Sequence, residues 1–405
     1  MIFWTVTTTI TAAIIYDKRE KKRATARWAH AVEHLAKEPL PGSDPNAAPR
    51  KLTIYLSAPP GDGLRTAQDH FTEYVKPVLA ASGLDWEYVQ GRMQGDVRAV
   101  VAERVRKTRR HWEDAAENPE HIPTDDEFLE AYRKNRHTPE YDGIRGDVVI
   151  GRHTWKEYVR GLHEGWLGPL TAPPEPAPIP ETPKEEDASA EKPAQEEAKP
   201  QRPPQPKPYN SPNDYAASSL PLLTPAEFAP SMPIREPHLL GFLNTPTRLR
   251  RFFNRRALAD EIGREVAAVC LCTYREYREQ AEPEGTIDSQ YEQQKALNWE
   301  EKDWVKTVWK EDKPKDAAKG SPAAVTPAEE IKEKIWTRDV VMDPRIATRM
   351  RRFELQPEDE VRARAIVVPE EEVEGWIKGS VRGLFHWGAA QFTKEKKPTV
   401  IVDDE

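Results

Sequence analysis

The sequence predicts an α/β fold: an N-terminal transmembrane helix, a parallel-sheet domain, an α+β C-terminal part, and disordered insertions rich in Pro, Glu and Lys. Three observations carry this. Strand-like and helix-like runs alternate over residues 51–168, as parallel strands joined by crossovers require. Residues 2–16 carry no charge and are followed at once by a basic cluster. From Pro169 to Pro208 large apolar residues almost vanish, and the segment is expected to stay unpacked as far as Pro237.

The first run contains Phe3, Trp4, Val6, Ile10, Ile14 and Ile15, diluted by five threonines. As a helix it spans roughly 22 Å against a hydrocarbon core of about 30 Å. It reads as an anchor whose N-terminal side is incomplete. A cleaved secretory signal is the alternative, but no basic region precedes the run and no small-residue cleavage site precedes Asp17. Lys18, Arg19, Lys21, Lys22 and Arg23 then suit anionic headgroups at a membrane edge. Residues 17–50 form a basic juxtamembrane helix and linker, with Ala24, Trp28, Ala31, Val32 and Leu35 on one stripe.

The α/β domain follows over residues 51–168. Leu52, Ile54 and Leu56 alternate with Thr53, Tyr55 and Ser57, which predicts a half-buried strand. After the Pro59-Pro60-Gly61-Asp62-Gly63 turn, Leu64, Ala67, Phe71, Val75, Val78 and Leu79 recur at helical spacing up to Gly83. Residues 84–89 are the next strand. Asp96 is placed to cap a helix bearing Val97, Val100, Val101 and Val105, and residues 127–132 a short one. Residues 146–150 are a third strand, leading into a helix with Trp155, Tyr158, Val159 and Leu162.

Beyond the insertion, residues 238–405 form the remaining part. A strand is expected at 238–243. Thr245-Pro246 then opens a very basic helix, with Arg248, Arg250, Arg251, Arg255 and Arg256 around Leu249, Phe252 and Phe253. Residues 267–273 read as a strand, residues 297–309 as a helix with one apolar face, and residues 310–330 as a low-complexity loop. The tail offers a capped helix from Asp343-Pro344 to about Arg352, a strand at 365–368, and a helix with Val373, Trp376, Ile377, Val381, Leu384 and Phe385. Basic residues 18–23 and 248–256 are the candidates for lipid or partner contact.

Of the 405 residues only 38% are hydrophobic, 32% are charged and 38 are prolines, too few apolar side chains to pack the whole chain. The net charge of −8 gives no overall basic bias toward nucleic acid. Cys270 and Cys272, on the predicted strand, would point to opposite faces and stay unpaired. Neither they nor the ten histidines have metal-ligand spacing, so no metal and no cofactor is expected.

Gly61-Asp62-Gly63 is a weak phosphate-loop signal, since no full Gly-x-x-x-x-Gly-Lys-Ser/Thr motif accompanies it. The order strand, loop, helix with internal Pro77, strand, helix, strand resembles lipid kinases of the diacylglycerol-kinase type, acylglycerol kinases included. In that family the third strand runs into Gly-Gly-Asp-Gly-Thr. Here the matching place reads Ile150-Gly151-Arg152-His153-Thr154, with Arg152 and His153 in place of the Asp and second Gly. The resemblance therefore implies a kinase-like scaffold without kinase activity, in which Arg152 either holds an anion or lies free on the surface.

A longer resemblance is carried by residues 12–24, by Pro59-Pro60-Gly61-Asp62-Gly63-Leu64, by Tyr74-Val75-Lys76-Pro77, by Asp343-Pro344-Arg345-Ile346-Ala347 and by Met350-Arg351-Arg352-Phe353-Glu354-Leu355. These runs are similar to the subunit-fifty-four family of the fungal mitochondrial inner-membrane carrier translocase. What this implies is a non-catalytic, single-pass inner-membrane subunit that takes part in inserting multispanning proteins, the bulk of the chain lying in the intermembrane space. The implied partners are the channel-forming subunit, other membrane subunits, small intermembrane-space chaperones and anionic lipid. A simple positive-inside reading would place the bulk in the matrix instead. A scaffold for an inner-membrane protease and a lipid- or nucleotide-handling enzyme are the other roles.

Overall fold

A computed structural model describes residues 2–38, 48–117, 125–136, 143–173, 205–280, 290–310 and 333–374, with a few isolated residues between and beyond. The chain begins with α1 (Ile2–Val32), one continuous helix. Among the described residues no helix is long and apolar enough to cross a membrane.

Next come β1 (Lys51–Ser57), α2 (Leu64–His70) and α3 (Lys76–Ser82), the two helices joined by a π turn at Phe71–Val75. Pro77 has no N–H and its ring crowds the preceding turn, so the widened turn lets one helical path continue through it. Gly83 ends the path in the left-handed region at φ 71°. β2 (Asp85–Gly91), α4 (Asp96–Glu117), α5 (Asp125–Asn135), β3 (Asp147–Ile150), α6 (Arg152–Leu167) and β4 (Ser231–Ile234) complete the first stretch.

Then follow α7 (Thr245–Phe252), α8 (Arg255–Cys270), β5 (Tyr274–Glu276), the small pair β6 (Glu279–Gln280) and β7 (Gln290–Tyr291), and α9 (Glu292–Lys295). The described elements close with α10 (Pro344–Ala347), β8 (Arg351–Phe353), α11 (Pro357–Ala365) and α12 (Glu370–Val373).

Six strands form one sheet in the order β2-β1-β3-β4-β8-β5, parallel except for β5. Trp28 and Val32 of α1, Val78 and Leu79 of α3, and Ile262 and Val266 of α8 pack with Leu52, Ile54 and Leu56 on one face. Val97, Val101 and Val105 of α4 and Trp155, Tyr158 and Val159 of α6 cover the other, with Tyr55 and Val149. The result is a helix–sheet–helix sandwich whose sheet takes strands from both sides of residues 169–230.

Several expectations are corrected. β1 is buried on both faces, because Thr53, Tyr55 and Ser57 lie under α4 and α6. There the Tyr55 hydroxyl accepts from Arg104 at 2.7 Å, and Asp147 accepts from Arg104 at 3.0 Å and from the Tyr158 hydroxyl at 2.8 Å. Its alternation is thus apolar against hydrogen-bonded polar, not core against solvent. Val100 is exposed while Val97, Val101 and Val105 are buried, and the Asp96 carboxylate bonds back to the amides of Arg92 and Met93.

Residues 205–237, expected to be unpacked, include β4 and the buried Tyr215, Phe228 and Met232. The fourth strand therefore lies at Ser231–Ile234 rather than at 238–243, where a short 3-10 turn (Phe242–Asn244) is found. Pro233 is tolerated in β4 because β8 reaches this strand only at Ser231. The expected strand at 267–273 is the last turn of α8, an ambiguity inherent in a short buried apolar run. Cys270 ends that helix, Cys272 sits at φ 57° in the turn after it, and both are free.

Only a 3-10 turn (Asn298–Asp303) stands where a helix over 297–309 was expected. The helix from 343 is α10 alone, since Arg351–Phe353 joins the sheet as β8, and no strand is described at 365–368. Residues 311–332, and parts of the expected helix from 373 to 385, lie outside the described residues.

Candidate functional site

In an open parallel sheet, ligands bind at the carboxyl ends of the strands, where helix N-termini offer unpaired amides. That edge here carries both glycine loops. Gly151, between β3 and α6, has φ +90°, and a Cβ there would lie 2.7 Å from a carboxylate oxygen of Glu236. Such a φ favours glycine at this turn. The space beyond it is filled.

The amide of Arg152 donates to Glu300 Oε2 at 2.9 Å, and the amide of Glu236 donates to Glu300 Oε1 at 2.8 Å. Glu300 thus caps α6 from the turn at 298–303, in the position a helix N-terminus offers to an anion. Leu297, in the left-handed region at φ 58°, swings that turn over the loop. Glu157 repeats the device one helix away, accepting from the amides of Val97 and Arg98 at 3.0 and 3.4 Å and from Trp336 Nε1 at 2.6 Å. The N-termini of α6 and α4 at this edge are therefore held by the chain's own carboxyl groups, while that of α2, behind Gly63, has no side-chain cap.

Arg152 is buried, contrary to its expected place on the surface. Its Nε donates to Glu301 at 3.0 Å and its guanidinium to the carbonyl of Ala296 at 2.5 Å. His153 donates from Nε2 to the carbonyl of Ser57 at 3.1 Å, and burial lowers its pKa to about 4, leaving it neutral. The Thr154 hydroxyl is buried without a partner among the described residues.

Glu236 is buried 3.9 Å from His153, and the low-dielectric surroundings, followed by the neighbouring Glu300, push its carboxyl well above the usual range. Desolvation likewise raises Glu300 to about 8 and Glu157 to about 7. These acids offer no positive charge to a phosphate dianion, and the Arg152 guanidinium is engaged by Glu301 and the Ala296 carbonyl.

Gly61 and Gly63 lie at the same edge. Asp62 accepts from the Gly63 amide at 2.8 Å, and its other oxygen lies 3.6 Å from His238. A Cβ on Gly61 would meet Val305 at 2.9 Å, whereas Gly63 faces open space. Glu236 and His238 thus lie between the two loops, beside an open cleft that Asp62 also lines. Among the described residues no group of His, Cys, Asp and Glu side chains is placed to hold a metal.

The basic candidates divide. Lys21 pairs with Glu73, Arg19 with Glu370, and Arg23 with Glu20 and Glu370, so three of the five residues after the apolar run tie α1 to the domain. Lys18 and Lys22 are exposed. The expected single helix over 248–256 is two: Arg248, Arg250 and Arg251 lie on α7, Arg255 and Arg256 open α8. Arg251 pairs with Asp303 at 2.5 Å, and Arg255 lies 3.5 Å from Glu73.

Sequence reasoning missed Glu236 and Glu300 altogether. No pattern marks an acid in one irregular segment as the cap of a helix almost 150 positions away. A glutamate beside Trp299 on a presumed amphipathic helix reads as solvated.

The fold and site define a class: a mixed α/β domain in which the N-termini of α4 and α6, at the carboxyl edge of the sheet, are held by the chain's own carboxyl groups. The family model described as "Inner membrane protein import complex subunit Tim54" matches residues 1–194 and 179–353. The mitochondrial import inner membrane translocase subunit tim54 of Neurospora crassa is 62% identical over 100% of this chain and 87% of its own length. Its counterpart in Aspergillus fumigatus is 44% identical, over 93% of this chain and 91% of its own, and that of Schizosaccharomyces pombe 34%, over 73% and 81%. The chain belongs to the Tim54 family, whose role is that of a subunit of the mitochondrial inner-membrane import translocase.

Proposed function

We propose that the chain is a non-catalytic docking subunit of the carrier translocase, held in the inner membrane by the apolar half of α1 with its α/β domain in the intermembrane space. The occupied N-terminus of α6 is the observation that carries the non-catalytic reading. Phosphoryl transfer needs backbone amides and a metal-binding carboxylate open to a nucleotide, and here the amide of Arg152 already bonds to Glu300. The exposed Phe3, Trp4, Ile10 and Ile15 on a helix that continues into the domain support the anchor. The rigid helix–sheet–helix body is the docking platform, and its partners are the channel subunit, other membrane subunits and the small chaperones.

Full-length tagged chain, purified from mitochondria in mild detergent, should bring the carrier channel and small chaperones with it. Recovery of protease or lipid-metabolising subunits in their place would overturn the reading, as would phosphate transfer to an acylglycerol by the purified chain with magnesium and ATP.

A further inference from the structure

One element of the fold has no core to belong to. α7 contains no buried residue, and Leu249 and Phe252, three positions apart on one face, are both exposed. Phe242 and Leu243, in the turn leading into it, are 89% and 87% exposed. A helix of eight residues is marginal in water unless an apolar face is covered. Between α7 and the body lies a cleft of about 760 Å³, lined by Asp62, Glu73 and His238 on one side and by Arg248, Leu249 and Phe252 of α7 on the other, so the helix stands off the body instead of packing on it.

The charge of this segment is one-sided. Residues 237–259 contain Arg248, Arg250, Arg251, Arg255 and Arg256 and no Asp or Glu. Among the described residues Arg248 and Arg250 have no carboxylate within ion-pair distance, although acids are abundant elsewhere on the surface.

Position supplies the occupant. The Asp17 carboxylate accepts from the amides of Arg255 and Arg256 at 3.2 and 3.4 Å, and the Arg256 guanidinium lies 5.1 Å from the Tyr16 ring centroid. The corner between α7 and α8 is therefore fastened to α1 at the point where its uncovered apolar half leaves the domain. A surface that receives residues 2–16 passes beside this corner.

We propose that the segment from Phe242 to Arg256 is a second membrane contact, lying in the interface of an anionic bilayer. Phe242 and Leu243 enter the headgroup–acyl boundary while Arg248 and Arg250 bind lipid phosphates. This rests on the reading of α1 as the anchor and fixes the domain's tilt against the membrane, which a single helix cannot do.

The test uses the full chain with Cys272→Ser and a fluorophore on Leu243→Cys or, separately, on Ile10→Cys, reconstituted in phosphatidylcholine vesicles with and without phosphatidylglycerol. Lipid-borne quenchers should quench both labels when phosphatidylglycerol is present. Arg248→Glu with Arg250→Glu should abolish quenching at 243, leave it at 10, and leave the melting temperature unchanged, because neither arginine is buried. A label at 243 that stays unquenched while that at 10 is quenched overturns the second contact, leaves the anchor standing and assigns the face to a protein partner. Loss of quenching at both overturns the anchor reading and with it this inference.

Discussion

Glu300 is the residue on which the site turns. Desolvation holds its carboxyl up to about 8 against the two backbone donors that favour its ionised form, while in the unfolded chain it ionises as an ordinary glutamate near 4.3. The folded state therefore binds the extra proton between those values. The stability this contributes is present in full below the unfolded value and is lost as pH rises through about 8. The melting temperature should fall from about pH 5 to about pH 8, and Glu300→Gln should make that fall shallower, the rest coming from Glu157 and Glu236, whose carboxyls burial also raises. An equally steep fall in the variant would show that Glu300 does not titrate there. Glycines separate in the same way. A Cβ on Gly161 would lie 2.7 Å from the carbonyl of Arg98 and 2.8 Å from Val101. Gly161→Val should thus lose about 1–3 kcal/mol in urea unfolding by forcing α6 off α4. Gly63→Ala, into open space, should stay within about 0.5 kcal/mol of the parent.

Elements in this fold are capped from afar. α8 has no side-chain cap from its own N-cap residue, Asn254, and takes Asp17 of α1 instead. Its other end is held by Arg50, whose guanidinium donates to the carbonyls of Val269 and Cys270 at 2.9 and 3.2 Å. Asp17→Ala should lower stability by about 1 kcal/mol and Asp17→Asn by less, read from denaturant midpoints at unchanged slope. An unchanged midpoint for the alanine variant would mean that water caps α8 equally well. The first three strands and their helices were legible because each has a local period and a stop, such as Gly83 after α3. The fourth strand and the end of α8 were not. β4 has only four residues with a proline among them, and Ala267-Ala268-Val269 reads alike as helix or strand when buried.

At the scale of the molecule, α1 belongs to two environments. Trp28 and Val32 lie in the main core, and Trp28 comes so close to Gly263 of α8 that a Cβ there would lie 2.3 Å from its ring. A chain lacking residues 1–16 should keep a cooperative thermal transition by circular dichroism, while one lacking residues 1–38 should lose it, since Ile262 and Val266 are then uncovered. A cooperative transition in the shorter chain would show that the basic helix is a separable linker. At the site, the turn from β3 through Gly151 into α6 was legible in the sequence; that Glu300 holds the first amide of that helix was not.

By itself the sequence determined the α/β class, the parallel first strands, the apolar run ahead of a basic cluster, and the family. These are set by local periods, stops and motif residues that neighbours in the chain supply. Only the tertiary structure decided that α1 completes the sheet's cover, that one sheet spans both sides of the long insertion, and that Glu157 and Glu300 hold the N-termini of α4 and α6. Those outcomes depend on burial and on hydrogen bonds between residues far apart in sequence, where the desolvation of one carboxyl group is offset by amides that no local pattern links to it.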